Sequence, residues 1–185
     1  MTLVTADPYG DPDLVALYDL DNPDGIDHEY YRCLADRLEA RRIIDLGCGT
    51  GLLTRTLVRP GRLVTGIDPS ITMLNWAKKQ PGAEHVTWLQ GDATAILPTG
   101  DIDLVTCTGN TIMHLDHDEL ESALRRIRAA LQPGGVLSFE SRNPALREWE
   151  QWTREATFSE RNTALGHLIE WVQVTDASND RITFD

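Results

Sequence analysis

The fold of this chain is decided by the stretch Arg42-Ile43-Ile44-Asp45-Leu46-Gly47-Cys48-Gly49-Thr50-Gly51. An apolar run typical of a buried strand ends in an acid, and glycines spaced G-x-G-x-G follow it. Leucines continue at positions 52, 53 and 57, which is a helical spacing. The pattern therefore predicts a strand, a tight turn and a helix N-terminus in succession. Glycine has no Cβ and tolerates positive φ, so this turn lets a ligand approach the backbone closely.

An acid follows the next predicted strand. The run 63–67 is apolar and β-branched, and Asp68 comes directly after it. An acid about 20 residues beyond a glycine turn suits the two hydroxyls of a ribose. We therefore interpret the chain as a protein that binds a nucleoside cofactor.

Strand-like and helix-like segments alternate from this start onward. Further strands are predicted over 63–67, 86–89, 102–107 and 136–140. Helices are predicted over 28–40, from about 51, from Ser70 to Pro81-Gly82, and from Asp116 to Pro133-Gly134-Gly135. This alternation predicts an α/β fold, a doubly wound (Rossmann-like) parallel sheet of about five strands with flanking helices.

The pattern changes after the fifth predicted strand. Asn143-Pro144 predicts a helix through Trp152, since proline is favoured at the first helical position. Residues 168–175 and 182–184 flank a turn cluster at 176–180, which predicts a C-terminal antiparallel hairpin. Three regions follow: residues 1–40 as an N-terminal arm with helices (a short one within 7–25), residues 41–142 as the cofactor-binding core, and residues 143–185 as a helix and hairpin extension.

The composition indicates which kinds of partner and which cellular compartment to expect. The net charge is -12, from 29 acids against 17 bases, which disfavours nucleic acid as a partner. Three cysteines without C-x-x-C spacing indicate a reducing compartment. We find no secretory signal and no apolar run long enough to span a membrane, so we expect a cytoplasmic protein without a membrane partner.

The glycine turn departs from the dinucleotide fingerprint. That fingerprint is G-x-G-x-x-G, whereas here the third glycine comes one position early, at Gly51. Leu52 stands where the fingerprint expects glycine or alanine. A nicotinamide-dependent oxidoreductase is therefore the weaker alternative.

Residues 44–51 resemble the first motif of the class I S-adenosylmethionine-dependent methyltransferases. Asp68 is similar to the ribose-binding acid of that family, residues 91–93 to its adenine-side segment, and Pro133-Gly134-Gly135 to its turn before strand five. The resemblance covers residues 28–142. It implies S-adenosylmethionine as the cofactor, lying across the carboxyl ends of the parallel strands of a seven-stranded mixed sheet.

The resemblance and the predicted strand ends together give the candidate cofactor-binding residues. They are Asp45, Gly47, Cys48, Gly49, Gly51, Asp68, Pro69, Met73, Gly91, Asp92, Ala93, Thr108, Gly109 and Tyr18. Asp68 would accept hydrogen bonds from the ribose, and Asp92 from the adenine amino group. Tyr18, in the N-terminal arm, would close over the cofactor.

His114 is the candidate catalytic residue. It follows the fourth predicted strand, where members of the resembling family place substrate, and a histidine suits deprotonation of a hydroxyl or an amine. The alternative is a structural histidine near a helix start. His114 and His117 are three apart rather than four, so we expect no metal site.

The implied function is methyl transfer to a small-molecule acceptor. The resembling family continues with another helix and two strands, for which we find no residues before Asp185. We therefore expect either a fragment or a chain whose missing edge a neighbouring chain supplies. The 167–184 hairpin would then either cover the edge of strand five or mediate a homodimer. A truncated methyltransferase-like module that binds the cofactor without turnover is the alternative.

Overall fold

Five parallel strands form the sheet of the first of two compact units. They are β1 (Arg42–Leu46), β2 (Leu63–Asp68), β3 (Val86–Gln90), β4 (Ile102–Cys107) and β5 (Leu131–Phe139). Their order in the sheet is β3-β2-β1-β4-β5, which confirms the predicted doubly wound sheet. The order reverses direction between β1 and β4, and open sheets of this kind bind ligands at that point, beyond the carboxyl ends of the strands.

The computed structural model describes residues 9–178 and 181–185. The boundary between the two units falls in the sequence between Ser141 and Arg142. Within the described residues, none of the helices is both long and apolar enough to cross a membrane.

From residue 9 onward, the first unit has five α-helices: α1 (Pro12–Asp21), α2 (Ile26–Arg37), α3 (Leu52–Thr56), α4 (Ile71–Ala77) and α5 (His117–Ala130). The starts of α1, α4 and α5 follow from capping side chains. Ser70 accepts a hydrogen bond from the backbone of Met73 at 3.2 Å. Asp116 and Glu119 form a reciprocal capping box, each accepting a backbone N–H of the other at 2.9 Å. These caps confirm the predicted starts of α4 and α5.

The core lies on both faces of the sheet, because successive strand residues point to opposite sides. Ile43 and Leu104 pack with α2 and α3 on one face. Ile44 and Val105, their chain neighbours, pack with α5 on the other. The central strands are therefore buried on both faces, as expected of a parallel sheet.

The end of α5 differs from the prediction. The helix ends at Ala130, and β5 already begins at Leu131, so residues 133–135 lie inside the strand rather than in a turn before it. The pairing of β4 with β5 is irregular between Ile102 and Leu104. This irregularity takes up the Pro-Gly-Gly sequence as a bulge in the edge strand.

The second unit contains two antiparallel hairpins and one short helix, α6 (Arg154–Thr157). Strand β6 (Ser159–Thr163) pairs with β7 (Gly166–Glu170), and β8 (Val174–Ala177) pairs with β9 (Ile182–Phe184). The predicted return strand 182–184 is confirmed. The predicted strand 168–175 is wrong, because its residues divide between the two hairpins. The predicted turn includes Asn179 and Asp180, which lie outside the described residues, as do Asp7 and Pro8 of the arm.

The predicted helix from Asn143 to Trp152 is also wrong. Two short 3₁₀ helices, Pro144–Leu146 and Glu148–Gln151, stand in its place. Arg147 between them has a φ of 47°, in the left-handed region that an α-helix cannot include. The favourable Asn-Pro start therefore leads into a single turn and not into a continued helix.

Candidate active site

Three backbone N–H groups of the glycine turn after β1 donate hydrogen bonds to other parts of the protein. Those of Gly47 and Cys48 donate to the carbonyl oxygen of Ile67, at 2.7 and 3.1 Å. The N–H of Gly49 donates to Oδ2 of Asp68 at 2.8 Å. Since a phosphate site needs several converging N–H groups, these three do not form one. The turn instead presents bare backbone to its surroundings.

Packing explains two of the three glycines in this turn. A Cβ on Gly47 would lie 2.2 Å from Cγ2 of Thr111, and one on Gly51 would lie 2.4 Å from Cη2 of Trp88. A Cβ on Gly49 would meet nothing within 4 Å, and there only the φ of +53° favours glycine. Gly49 is therefore the point of the turn that a ligand can approach.

Asp68 ends β2 beside this turn. Its side chain is bound at both oxygens, since Oδ2 accepts from Gly49 and Oδ1 accepts from the N–H of Ser70 at 2.8 Å. Burial raises the pKa of the Asp68 carboxyl, and these two hydrogen bonds oppose the rise. A carboxylate has about four acceptor positions, so Asp68 keeps capacity for ligand hydroxyls.

Asp45 ends β1 and is only 1% exposed. Its Oδ2 accepts the hydroxyl of Thr54 at 2.6 Å, and its Oδ1 accepts the hydroxyl of Thr106 at 2.8 Å. Burial raises the pKa of this carboxyl, against the effect of both threonines. The geometry favours a role in fixing β1 against α3 and β4, rather than the ligand contact that the sequence predicts.

The remaining predicted residues near the turn differ in how far their side chains are exposed to solvent. The Sγ of Cys48 lies 3.0 Å from where a Cβ on Gly66 would be, so this side chain points into the protein. Burial raises the pKa of the Cys48 thiol. Met73 is 1% exposed within α4, whereas Pro69 is exposed beside Asp68.

The segment after β3 is joined to the end of β2. The N–H of Gly91 donates to the carbonyl oxygen of Asp68 at 3.0 Å. Asp92 is exposed and accepts from the backbone N–H of Thr94 at 2.7 Å, and its hydrogen bonds with Thr94 lower its pKa. Ala93 is buried in the core beside Ile67. The structure therefore brings Gly91, Asp92 and Ala93 to the carboxyl end of the sheet with Asp68.

A second stretch of accessible backbone follows β4. Gly109 is exposed, has a φ of +62°, and a Cβ there would meet nothing within 4 Å. Its N–H donates to Oε1 of Glu140, which follows β5. Thr108 is half-buried beside it. Sequence reasoning missed Glu140, because no motif marks a single acid after the last strand.

The N-terminal arm crosses this end of the sheet through Tyr9. The carbonyl oxygen of Tyr9 accepts the hydroxyl of Ser70, which follows β2. Its ring makes edge contacts with Tyr18 at 6.3 Å and with His114 at 5.9 Å. Burial, Tyr9 and Asp68 raise the pKa of Tyr18 to about 12. Tyr9 thus links the ends of β2 and β4, a role that a lone tyrosine in an irregular segment does not signal.

Helices α1 and α2 also reach the ends of the central strands. The hydroxyl of Thr50 donates to Oδ1 of Asp19, which joins the glycine turn to α1. Tyr31 of α2 is buried, and burial together with Glu140 raises its pKa.

His114 is exposed at the end of the 3₁₀ helix Thr111–His114, directly before the cap of α5. Within residues 9–178 and 181–185, no group of three or more His, Cys, Asp or Glu side chains is arranged to hold a metal ion. The site as a whole therefore combines accessible backbone, carboxylates and aromatic rings.

Comparison with known proteins gives a family match over half of the chain. The methyltransferase domain family matches residues 43–135. Glycine N-methyltransferase of Rattus norvegicus is 36% identical over 120 residues, which are 55% of this chain and 40% of that protein. The chain therefore spans less than half of the length of this relative.

Solved structures share the fold. The SAM-bound structure of CalS10, an amino pentose methyltransferase from Micromonospora echinaspora, is 27% identical with a TM-score of 0.56, over 77% of this chain and 59% of that one. The sugar N-methyltransferase KedS8 from Streptoalloteichus is 21% identical with a TM-score of 0.67, over 97% and 73% of the two chains.

The contrast between two glycines of the turn is testable. Gly49→Ala should cost about 1–2 kcal/mol of unfolding free energy, from left-handed backbone alone. Gly51→Ala should cost about 1–3 kcal/mol more, because its methyl group overlaps Trp88. Urea unfolding followed by circular dichroism measures both.

The same substitutions in a Trp88→Leu background provide the control for overlap. The extra cost of Gly51→Ala should shrink there, while the cost of Gly49→Ala should not change. Equal costs for the two alanine variants in the unaltered chain would contradict this account of the turn.

Proposed function

The chain belongs to the methyltransferase domain family, and from this membership we propose that it transfers a methyl group from S-adenosylmethionine to a small-molecule acceptor. The observation that carries the proposal is the bond between Asp68 and the N–H of Gly49 at 2.8 Å. It holds a carboxylate beside accessible backbone at the reversal point of the sheet. Family membership decides against the nicotinamide-dependent alternative.

The residues of the turn fit a cofactor without a phosphate. A dinucleotide needs free N–H groups for its pyrophosphate, whereas those of Gly47, Cys48 and Gly49 donate within the protein. Asp68 would accept the ribose hydroxyls through its remaining lone pairs, in charge-assisted bonds of about 1.5–3 kcal/mol each. The methionine portion would lie against Gly49 and Gly109, where the backbone is open.

The other predicted residues are assigned by position. Gly91, Asp92 and Ala93 would lie on the adenine side, since Gly91 is bonded to Asp68. Gly47, Gly51, Cys48, Met73 and Asp45 would shape the site from within, and Pro69, Thr108 and Tyr18 would lie along its rim.

S-adenosylmethionine, when bound, supplies a methyl carbon on a positively charged sulfur that leaves as a neutral thioether. The residues of this chain need to hold the acceptor in line with the bond to the methyl carbon and to exclude water. Such positioning can provide most of the rate enhancement without a further catalytic group. Tyr9 and Tyr18 would cover the site, because the arm is fastened to Ser70 and packs on His114. His114 would accept a proton from the acceptor.

The activities for which two relatives are named support a small acceptor. The rat relative is named for glycine, and CalS10 for an amino pentose. Detection of S-adenosylhomocysteine with a panel of small acceptors separates a methyltransferase from a module that binds the cofactor without turnover.

We also propose a cytoplasmic location and a homodimer. The cysteines Cys33, Cys48 and Cys107 are free thiols, which suits a reducing compartment. For the homodimer, Phe184 of the predicted 167–184 hairpin is 47% exposed, and Leu165, directly before β7, is 53% exposed. Exposed apolar side chains on a hairpin favour association with a second copy.

Replacing Asp68 should weaken cofactor binding without unfolding the chain. Asp68→Asn keeps one oxygen but loses the charge, so the dissociation constant for S-adenosylmethionine should rise at least about tenfold by calorimetry. Asp101→Asn is the matched control, because Asp101 pairs with Arg42 at the opposite end of the strands. Unchanged affinity in Asp68→Asn would contradict the assignment.

Cofactor affinity should also fall in acid. Burial raises the pKa of Asp68 above its ordinary value of 3.8, and only the ionised form accepts both ribose hydroxyls. Affinity should therefore be full above that raised pKa and decrease as the pH falls through it. Asp68→Asn should show no such decrease. A parallel fall in both proteins would assign the effect to another group.

Association through the hairpin predicts a measurable change in mass. Sedimentation velocity should show a dimer that Phe184→Glu or Leu165→Glu converts to a monomer. Leu97→Glu is the control, because Leu97 is 69% exposed in the other unit. A monomer at all tested concentrations of the unaltered chain would refute the dimer.

A further inference from the structure

Resting on the proposed function, we infer that the methyl acceptor is an amine that arrives with a positive charge. Its place is an aromatic wall formed by Tyr9, Tyr18 and His114 at the carboxyl end of the sheet. Charge distribution and ring contacts in this structure carry the inference independently of each other.

Basic residues are missing from the segments that form this end of the sheet. Arg32 is the first lysine or arginine in the chain, so the arm and α1 contain neither. The same holds for the parts of the first unit that follow its five strands, which are residues 47–51, 69–70, 91–95, 108–116 and 140–141. Arg142, the next residue, belongs to the second unit. Because parallel strands end at one edge, these segments share that edge.

Acidic groups occupy the same edge. Asp68 is bonded to the glycine turn, Asp19 to Thr50 of that turn, and Glu140 to Gly109. Two bases also reach this edge, Arg55 at the carbonyl oxygen of Gly51 and Arg126 at that of Thr94. Where carboxylates exceed cations, the potential is negative, which attracts cations and repels carboxylates and phosphates. The charge pattern therefore selects against an anionic acceptor.

The topology explains where the bases are. Helices that follow the strands begin at this edge and end at the opposite one, and cations are favoured in their last turns. Arg128 lies in the last turn of α5, and Lys78 directly follows α4. Arg55, near the start of α3, is turned to the carbonyl oxygens of Gly51 and Pro81.

The rings of the wall remain accessible. Tyr9 is 41% exposed, Tyr18 is half-buried and His114 is exposed. Their edge contacts leave ring faces directed to different sides, and a ring face attracts an ammonium group. A negative edge would also suit the charged sulfur of the donor. His114, however, lies at the end of the segment after β4 and is not among the residues assigned to the donor.

Methyl transfer to such an amine needs only groups that have already been assigned a role. The bound ammonium loses one proton to the His114 imidazole, which leaves a nitrogen lone pair. That lone pair forms the new N–C bond to the methyl carbon while the C–S bond breaks and its electron pair stays on sulfur. The products are a methylated ammonium and a neutral thioether, and the proton on His114 passes to water.

The test compares ligands that share one ring and differ in charge. The probes are cyclohexylamine, its permanently charged trimethylammonium analogue, cyclohexanol and cyclohexanecarboxylate. Each is titrated calorimetrically into the full chain saturated with S-adenosylhomocysteine. The two cations should bind at least about tenfold more tightly than the alcohol and the carboxylate. The amine, and not the alcohol, should release S-adenosylhomocysteine from S-adenosylmethionine.

Variants of the wall identify the site. Tyr9→Leu should weaken binding of the trimethylammonium probe about three- to tenfold, whereas Tyr9→Phe, which keeps the ring, should restore it. Tyr30→Leu is the control, because Tyr30 is an exposed tyrosine of α2. Affinity for S-adenosylhomocysteine is measured in every variant.

The outcomes separate the two proposals. If the chain binds S-adenosylhomocysteine but binds the alcohol or the carboxylate as tightly as the cations, or binds none of the probes, only the acceptor inference is overturned. If Tyr9→Leu binds the charged probe as tightly as the unaltered chain, the aromatic wall is overturned. If the chain does not bind S-adenosylhomocysteine, the proposed function fails, and the acceptor inference fails with it.

Discussion

The end of β2 organises the site through the Asp68 carboxylate. One oxygen accepts the N–H of Gly49 and the other accepts the N–H of Ser70, so a single side chain joins the turn after β1 to the start of α4. The backbone of the same strand end accepts from Gly47 and from Gly91. Three strand ends are thus fixed to one another before any ligand is present, and a preorganised site loses less entropy on binding.

A second acid performs a different task one strand away. Asp45 is buried completely, and such burial is unfavourable unless its oxygens are hydrogen bonded. The hydroxyls of Thr54 and Thr106 supply those bonds from α3 and β4. Two acids that look alike in the sequence therefore have different roles. Asp68 bonds to the glycine turn at the site, and Asp45 fixes β1 to α3 and β4.

The parallel direction of the strands also separates acidic from basic residues. Parallel strands place all their following segments at one edge, and the helices carry their last turns to the other. Acids such as Asp19 and Glu140 collect at the first edge, and bases such as Arg128 lie toward the second. The electrostatic character of the candidate site is therefore a consequence of topology as well as of local sequence.

The sequence by itself determined the alternation of strands and helices and the capping of α4 and α5, because these depend on local periodicity and short-range hydrogen bonds. It also placed Asp68 at the end of β2, and because parallel strands end at one edge of a sheet, this predicted the carboxylate beside the glycine turn. Only the tertiary structure decided that Thr111 and Trp88 require glycine at Gly47 and Gly51, which leaves Gly49 as the accessible one. It likewise placed Tyr9 beside His114, and replaced the expected helix after Asn143 with two short turns. Contacts between residues far apart in the chain fix these features, and no local pattern records them.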